Sequence, residues 1–486
     1  MNRREALKLF SVIPLVAQFP EELFSTTGKQ SLGASTFGKE FIFGVSTAAY
    51  QIEGSWNEDG KGESIWDHFA HKHPGRFKNR ANGDVACDFY HRYKHDIRLM
   101  KSLHIPAFRF SISWSRIFPD GIGETNQKGI DFYHRVIDEC LDQNIQPWIT
   151  LYHWDLPQAL QKKGGWTNRD IVNWFGEFTN LCTKEYGDEV KHWMIMNEPV
   201  AFTTLGYLLA YFPPGKFGLR NFTRSVHHTS LALANSFHIA KENVKEGKIG
   251  SAFSYSHIDP ENSAQPSGIN PLWRARQNAK AAKRYDALLN RLFIEPMLGL
   301  GYPVTDLPWI DRIYDFMKPG DEEKIKCNLD FIGLQNYTRE TIRHSWMTPF
   351  IHGTMLSAKK RNLPTTEMGW EIYPPAIYKS LKRLSEYPDM PDIYITENGV
   401  SLADEIVGGQ ISDIKRIEFL DQYLVQVLKA KNEGVKVKGY FIWSFMDNFE
   451  WLQGFNQRFG LVYTDFENQD RIVKDSGYWF REFLGK

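Results

Sequence analysis

DIYITENG, residues 392–399, runs through Ile393, Tyr394, Ile395 and Thr396, all aromatic or β-branched, and then places Glu397 just ahead of the turn residues Asn398 and Gly399. A run with no polar alternation is what a strand covered on both faces needs, and such strands belong to parallel sheets flanked by helices. Seven other stretches have the same character: FIFGVSTAAY (41–50), PAFRFSISW (106–114), QPWITLYHW (146–154), VKHWMIMNEP (190–199), KIGSAFSYSHI (248–258), LDFIGLQNY (329–337) and VKGYFIWSF (437–445).

Segments of helical period lie between several of these strands. Phe89, Tyr93, Ile97, Met100 and Leu103 fall on one stripe, as do Ile130, Tyr133, Ile137 and Leu141. Ile171, Trp174, Phe178 and Leu181 form a third stripe, and Ile417, Leu420, Tyr423, Leu424 and Val427 a fourth. Eight strands alternating with helices, with no central linker, predict an α/β fold: a single (β/α)8 TIM barrel over residues 37–486 with long loops at the C-terminal face of its strands. Residues 259–328 are the largest expected insertion, and their opening DPENSAQPSGINP (259–271) reads as loop.

Composition removes several kinds of function. Lys plus Arg and Asp plus Glu are 58 each, so no net field draws nucleic acid or an anionic membrane, and a neutral small molecule is the expected partner. Cys87, Cys140, Cys182 and Cys327 are far apart, without metal-ligand spacing, and read as buried free thiols. The chain has no HExxH, GxSxG, P-loop or GxGxxG motif, so neither metal nor cofactor is expected. Aromatic residues make up 14%, and amphipathic rings suit a ligand with apolar faces and polar rims, such as a sugar.

The N-terminus differs from the rest. MNRREALKLFSVIPLVAQFP pairs Arg3 with Arg4 ahead of an apolar run at residues 7–17, which resembles the twin-arginine export signal of a bacterial protein. The run is too short to span a bilayer. Residues 1–36 are therefore read as signal and linker of an exported protein, periplasmic or extracellular; a surface helix of a cytoplasmic protein is the alternative.

In a barrel of this kind the C-terminal strand ends build the active site. Those ends carry Gln51, Arg109 with Trp114, His153, Asn197 with Glu198, Tyr337, Glu397 and, after the eighth strand, Glu450. All are expected to face one pocket. A lone Glu at a strand end is more often a rim or ion-pair residue. Two, closing strands four and seven across one barrel mouth with no metal motif nearby, are the minimum equipment for hydrolysing an acetal.

Longer motifs sharpen this reading. FIFGVSTAAYQIEGSWNEDGKGESIWDHF, FRFSISWSRIFP, LYHWDLPQAL, MNEP, MGWEIYP, ITENG and WSFMDNFEW followed by RFGLVYTDFE resemble, in order, the motif set of family 1 glycoside hydrolases, the β-glucosidase family, over residues 37–483. The resemblance implies a retaining exo-β-glycosidase, a β-glucosidase that releases terminal non-reducing glucosyl residues by double displacement. Glu397 would be its nucleophile and Glu198 its general acid and base. Carboxyls about 5–5.5 Å apart leave no room for a water between them, so one must attack the sugar itself. The resemblance also implies that Tyr337 and Arg109 hold Glu397, that Asn197 meets the 2-hydroxyl, and that Gln51, His153 and Glu450 bind the remaining hydroxyls. Trp443 and Trp451 would form an apolar floor, and Trp370 a leaving-group platform.

The chain departs from the family pattern in two places. Gln335, Asn336 and Tyr337 stand where Asn-Tyr-Tyr is common, which questions the hydrogen bonding that the Asn would offer. Leu452, Gln453, Gly454 and Phe455 replace Ala-Glu-Gly-Tyr near the sugar's 6-position, so galactosides and fucosides stay open as substrates. Glu450 argues against a phosphorylated sugar, which it would repel, and Glu198 against the thioglucosidases, which carry Gln there. A transglycosidase would use the same pair, and a non-catalytic sugar-binding relative would have lost one member of it.

Overall fold

A computed structural model describes residues 32–262 and 270–486. The expected signal sequence, apart from residues 32–36, and residues 263–269 of the expected loop lie outside the described residues. The eight apolar runs each contain one barrel strand: β1 Ile42–Ser46, β2 Ala107–Ser111, β3 Gln146–Tyr152, β4 His192–Asn197, β5 Lys248–Ser254, β6 Phe331–Gln335, β7 Asp392–Asn398 and β8 Val437–Trp443. Each pairs in parallel with the next, and β8 closes on β1 through Gly44 opposite Phe441 and Ser46 opposite Trp443.

Glycine lets the barrel close around large rings. Phe441, Phe331 and Tyr394 stand opposite Gly44, Gly250 and Gly439 on neighbouring strands. A Cβ on Gly44 would lie 2.4 Å from the Phe441 ring, on Gly250 2.6 Å from Phe331, and on Gly439 2.7 Å from Tyr394. Trp148 packs on all three rings. The interior is thus filled below the strand ends, as small barrels require.

The strand runs overreach at their ends. Residues 49 and 50 belong to a short helix, Ala49–Ile52, and Trp114 opens another, Trp114–Ile117. These lip segments are buried, so they are as apolar as the strands before them, and composition does not mark the change. Among the helices, Phe89–Ser102 buries its expected stripe, with Leu103 buried at its cap. In Gln127–Asp142 the inner position falls to Cys140, while Leu141 is 41% exposed. Ile171–Tyr186 faces inward through Ile171, Phe175, Phe178 and Cys182, with Trp174 and Leu181 half-buried on its flank. In Ile414–Asn432 the buried residues include Leu420, Tyr423, Leu424 and Val427, and Ile417 is half-buried.

The segment after β5 is more ordered than a loop. His257–Pro260 pairs with Arg339–His344, which pairs antiparallel with Gly353–Met355. Helix Pro271–Asp286 follows, with the Asn270 side chain accepting from the Leu272 and Trp273 amides and Pro271 at its first position, both standard helix-start chemistry. The four cysteines are buried and free. Among the described residues no helix is long and apolar enough to cross a membrane.

Candidate active site

Both glutamates sit where a strand loses register. Against β6, β7 slips between Ile395 and Glu397, and against β8 between Ile395 and Asn398. Against β5, β4 slips between Met194 and Asn197. Such irregularities re-aim side chains at strand ends. Glu198, next along, has left-handed φ 43° and ψ 64°. Pro199 after it disfavours the right-handed helical region, so the chain leaves β4 by a sharp turn.

Glu397 is gripped from β2 and from the end of β6 with the segment after it. Its Oε1 accepts from Arg109 Nη1 at 2.5 Å and Gln335 Nε2 at 2.6 Å, and its Oε2 accepts from the Tyr337 hydroxyl at 2.7 Å. Arg109 is fully buried; its Nη2 donates to Asn197 Oδ1 at 2.5 Å and its Nε to Thr150 at 3.1 Å. Gln335 Nε2 also donates to Asn197 Oδ1, at 2.5 Å. With its oxygen so occupied, Asn197 turns Nδ2 to His153 Nε2, 3.0 Å away. That nitrogen must accept, so the His153 proton resides on Nδ1. Burial, and then the Arg109 charge, hold His153 well below the usual histidine range, and it is neutral.

The two carboxyls differ by their neighbours. Burial first, and then the Glu397 charge, push Glu198 up to about 8, against the pull of Arg109 and a hydrogen bond with Ser254. Burial also raises Glu397, but Arg109 and Tyr337 oppose it through direct contacts. A carboxylate touching a guanidinium keeps its charge better than one bonded to a neutral hydroxyl, so the proton resides on Glu198. Glu450 is likewise pushed up to about 8 by burial and then by Glu397, with Gln51 opposing.

The remaining side chains line the same mouth. Gln51 Nε2 donates to Asn448 Oδ1 at 3.0 Å, Phe449 O at 2.9 Å and Glu450 Oε2 at 3.4 Å. The His153 ring lies 6.0 Å from both Trp443 and Trp451 and nearly parallel to each. Trp370 and Tyr337, 5.4 Å apart, pack against the cluster of Trp443 and Phe459. Trp114 does not join them: fully buried, it stacks on Phe178 at 5.1 Å and donates to Gly121 O, because the helix it opens faces outward to Ile171–Tyr186.

Three participants were missed in the sequence. Ser254 is the polar end of β5, where the strand-end rule points. Trp154, whose Nε1 donates to the Asn197 carbonyl at 2.9 Å, adjoins His153. Gln335 reads in sequence as a lost asparagine, yet it reaches both Glu397 and Asn197.

The glycosyl hydrolase family 1 model matches residues 33–486. A 1,4-beta-D-glucan glucohydrolase of Thermotoga neapolitana is 43% identical over 92% of this chain and 98% of its own length. Beta-glucosidase A of Thermotoga maritima is 41% identical over the same shares. The structure of a Thermotoga maritima beta-glucosidase in complex with glucoimidazole superposes with a TM-score of 0.85 at 41% identity, covering 92% of this chain and 98% of that one.

Proposed function

Because this chain belongs to glycosyl hydrolase family 1, we propose that it is a β-glucosidase, a retaining exo-enzyme with Glu397 as nucleophile and Glu198 as general acid and base. The observation that carries this reading is the unequal environment of the pair: Glu397 bears Arg109, Gln335 and Tyr337, while Glu198 is pushed up to about 8 and holds a proton.

Glu397 Oε2 attacks the anomeric carbon as the glycosidic bond breaks, and Glu198 gives its proton to the departing oxygen. The sugar is then an ester of Glu397, whose charge has gone. With that charge goes one cause of the raised Glu198, which now takes a proton from the incoming water. The water oxygen displaces Glu397 as carboxylate, Glu198 is again protonated, and the anomeric configuration is restored.

Around this pair, Asn197 meets the 2-hydroxyl, while Gln51, His153 and Glu450 bind the other hydroxyls. Trp443 and Trp451 face the sugar's apolar side, and Trp370 carries the leaving group. Glucose is supported over galactose or fucose by the relatives' activities, and a panel of aryl glycosides differing at the 4- and 6-positions tests it. Arg3, Arg4 and the apolar residues 7–17 support export in the folded state; cytoplasmic retention of a chain lacking residues 1–31 tests that.

Replacing Glu397 with Ala should abolish turnover of an aryl β-glucoside, and azide should restore release of the aglycone with an α-glucosyl azide as product. Undiminished hydrolysis by this variant would remove Glu397 from the role.

A further inference from the structure

Asn197 Oδ1 and Glu397 Oε1 are joined twice. From β2, Arg109 spans them with Nη2 and Nη1, both at 2.5 Å. From β6, Gln335 spans the same two oxygens with the single atom Nε2, at 2.5 and 2.6 Å. An amide nitrogen carries two hydrogens, so each of these is a full bond. Turned over, the amide would bring its oxygen against two others, one of them charged, so the electrostatics determine which way it faces. The orientation has a cost, because Gln335 Oε1 is buried with no hydrogen-bond partner among the described residues.

We propose that Gln335 is a positioning residue: by clamping Asn197 to Glu397 from the β6 side, it holds the contact for the sugar's 2-hydroxyl and the attacking carboxylate in one register. The proposal rests on the glycosidase reading of the pair. Two donors on Oε1 commit that oxygen to remain the carbonyl of the glycosyl ester and leave Oε2 to attack. The same donors keep Asn197 Oδ1 turned down, and Nδ2, which gives one hydrogen to His153 Nε2, has its second for the sugar, so the 2-hydroxyl meets a donor. When the ester breaks, the two donors on Oε1 also stabilise the departing carboxylate.

The test replaces Gln335 with Met, which keeps the volume and removes the donors, and compares an aryl β-glucoside with its 2-deoxy analogue. For the glucoside kcat/KM should fall about 10- to 100-fold, the worth of a hydrogen bond to a charged group. For the 2-deoxy analogue the loss should be several-fold smaller, because the contact through Asn197 is already absent. The acid limb of the kcat/KM profile should move to higher pH as Glu397 loses a donor. Unchanged kinetics, or equal losses on both substrates with an unmoved acid limb, would overturn the proposal. Gln335→Leu, which also lacks the donors, carries the same comparison if the Met variant does not fold. An inactive wild-type protein would strike the glycosidase reading instead. The clamp would then be read by infrared titration of the Glu397 carboxylate, isolated by subtracting Glu397→Gln: an upward shift in Gln335→Met sustains it, and none refutes it.

Discussion

Glu198 and Glu397 are the same side chain, and their environments diverge through contacts a few ångströms away. Arg109, Gln335 and Tyr337 donate to Glu397, whereas Glu198 has a Ser254 hydroxyl and a neighbouring negative charge. If Glu198 supplies the proton, kcat/KM should fall as pH rises through about 8, where that proton is lost. Glu198→Gln should flatten that alkaline limb and slow poor leaving groups about 100-fold or more, while dinitrophenyl glucosides, which need no proton, should lose far less. Equal losses for both would contradict the acid role. The same shift has a stability consequence of definite sign. Folded Glu198 keeps a proton that the unfolded chain releases near the ordinary carboxyl value, so its contribution is present at low pH and is lost as pH rises to about 8. The melting temperature of Glu198→Gln relative to wild type should therefore rise between pH 4 and pH 8.

The element that organises the site is the strand end, and its legibility in sequence was uneven for physical reasons. β7 announced itself because Ile393, Tyr394 and Ile395 need cover on both faces and Glu397 does not. The lip helices at residues 49 and 114 did not, since burial there demands the same apolar residues as a strand. Trp114 was misassigned to the pocket for that reason, and Leu141 to the core because apolar character alone does not choose between neighbouring positions on a helix. Gln335 was visible only as a departure, because its value lies in a reach across strands that no single motif contains. The register slips of β4 and β7 leave no compositional mark either. Glycines inside strands do leave one, and Gly44 gives a test of the packed interior. Gly44→Ala would set a methyl 2.4 Å from the Phe441 ring and 2.7 Å from the Ala107 carbonyl oxygen. Overpacking of this kind costs about 1–3 kcal/mol. A lower midpoint in denaturant titration is expected, partly recovered by adding Phe441→Leu, since contacting residues couple. Independent, additive effects would show that the ring is not what the methyl meets.

At the scale of the whole molecule, the two ends of the described chain pack on each other beside β1, outside the barrel interior. Ala34–Phe37 forms a turn of 3-10 helix, and the Phe37 ring lies 4.8 Å from Phe41, 5.2 Å from Phe43 and 6.3 Å from Phe483 on the C-terminal helix Asp475–Gly485. Phe37 is 1% exposed, and the family match likewise begins ahead of it, at residue 33. The fold therefore starts before residue 37, and an export signal has to end before this turn if the mature protein is to keep the Phe37 contacts. Two truncations separate the signal from the fold. Removing residues 1–31 should leave kcat/KM and the unfolding midpoint unchanged and hold the enzyme in the cytoplasm of its host, because these residues would serve transport alone. Removing residues 1–37 takes away a buried ring, a loss of about 3–5 kcal/mol by the usual cost of deleting a core Phe, and should lower the midpoint while kcat/KM of the folded fraction stays near wild type. A chain without residues 1–31 that still leaves the cytoplasm would end the export reading. A chain without residues 1–37 that unfolds at the wild-type midpoint would show that the packing of Phe37 contributes nothing to stability.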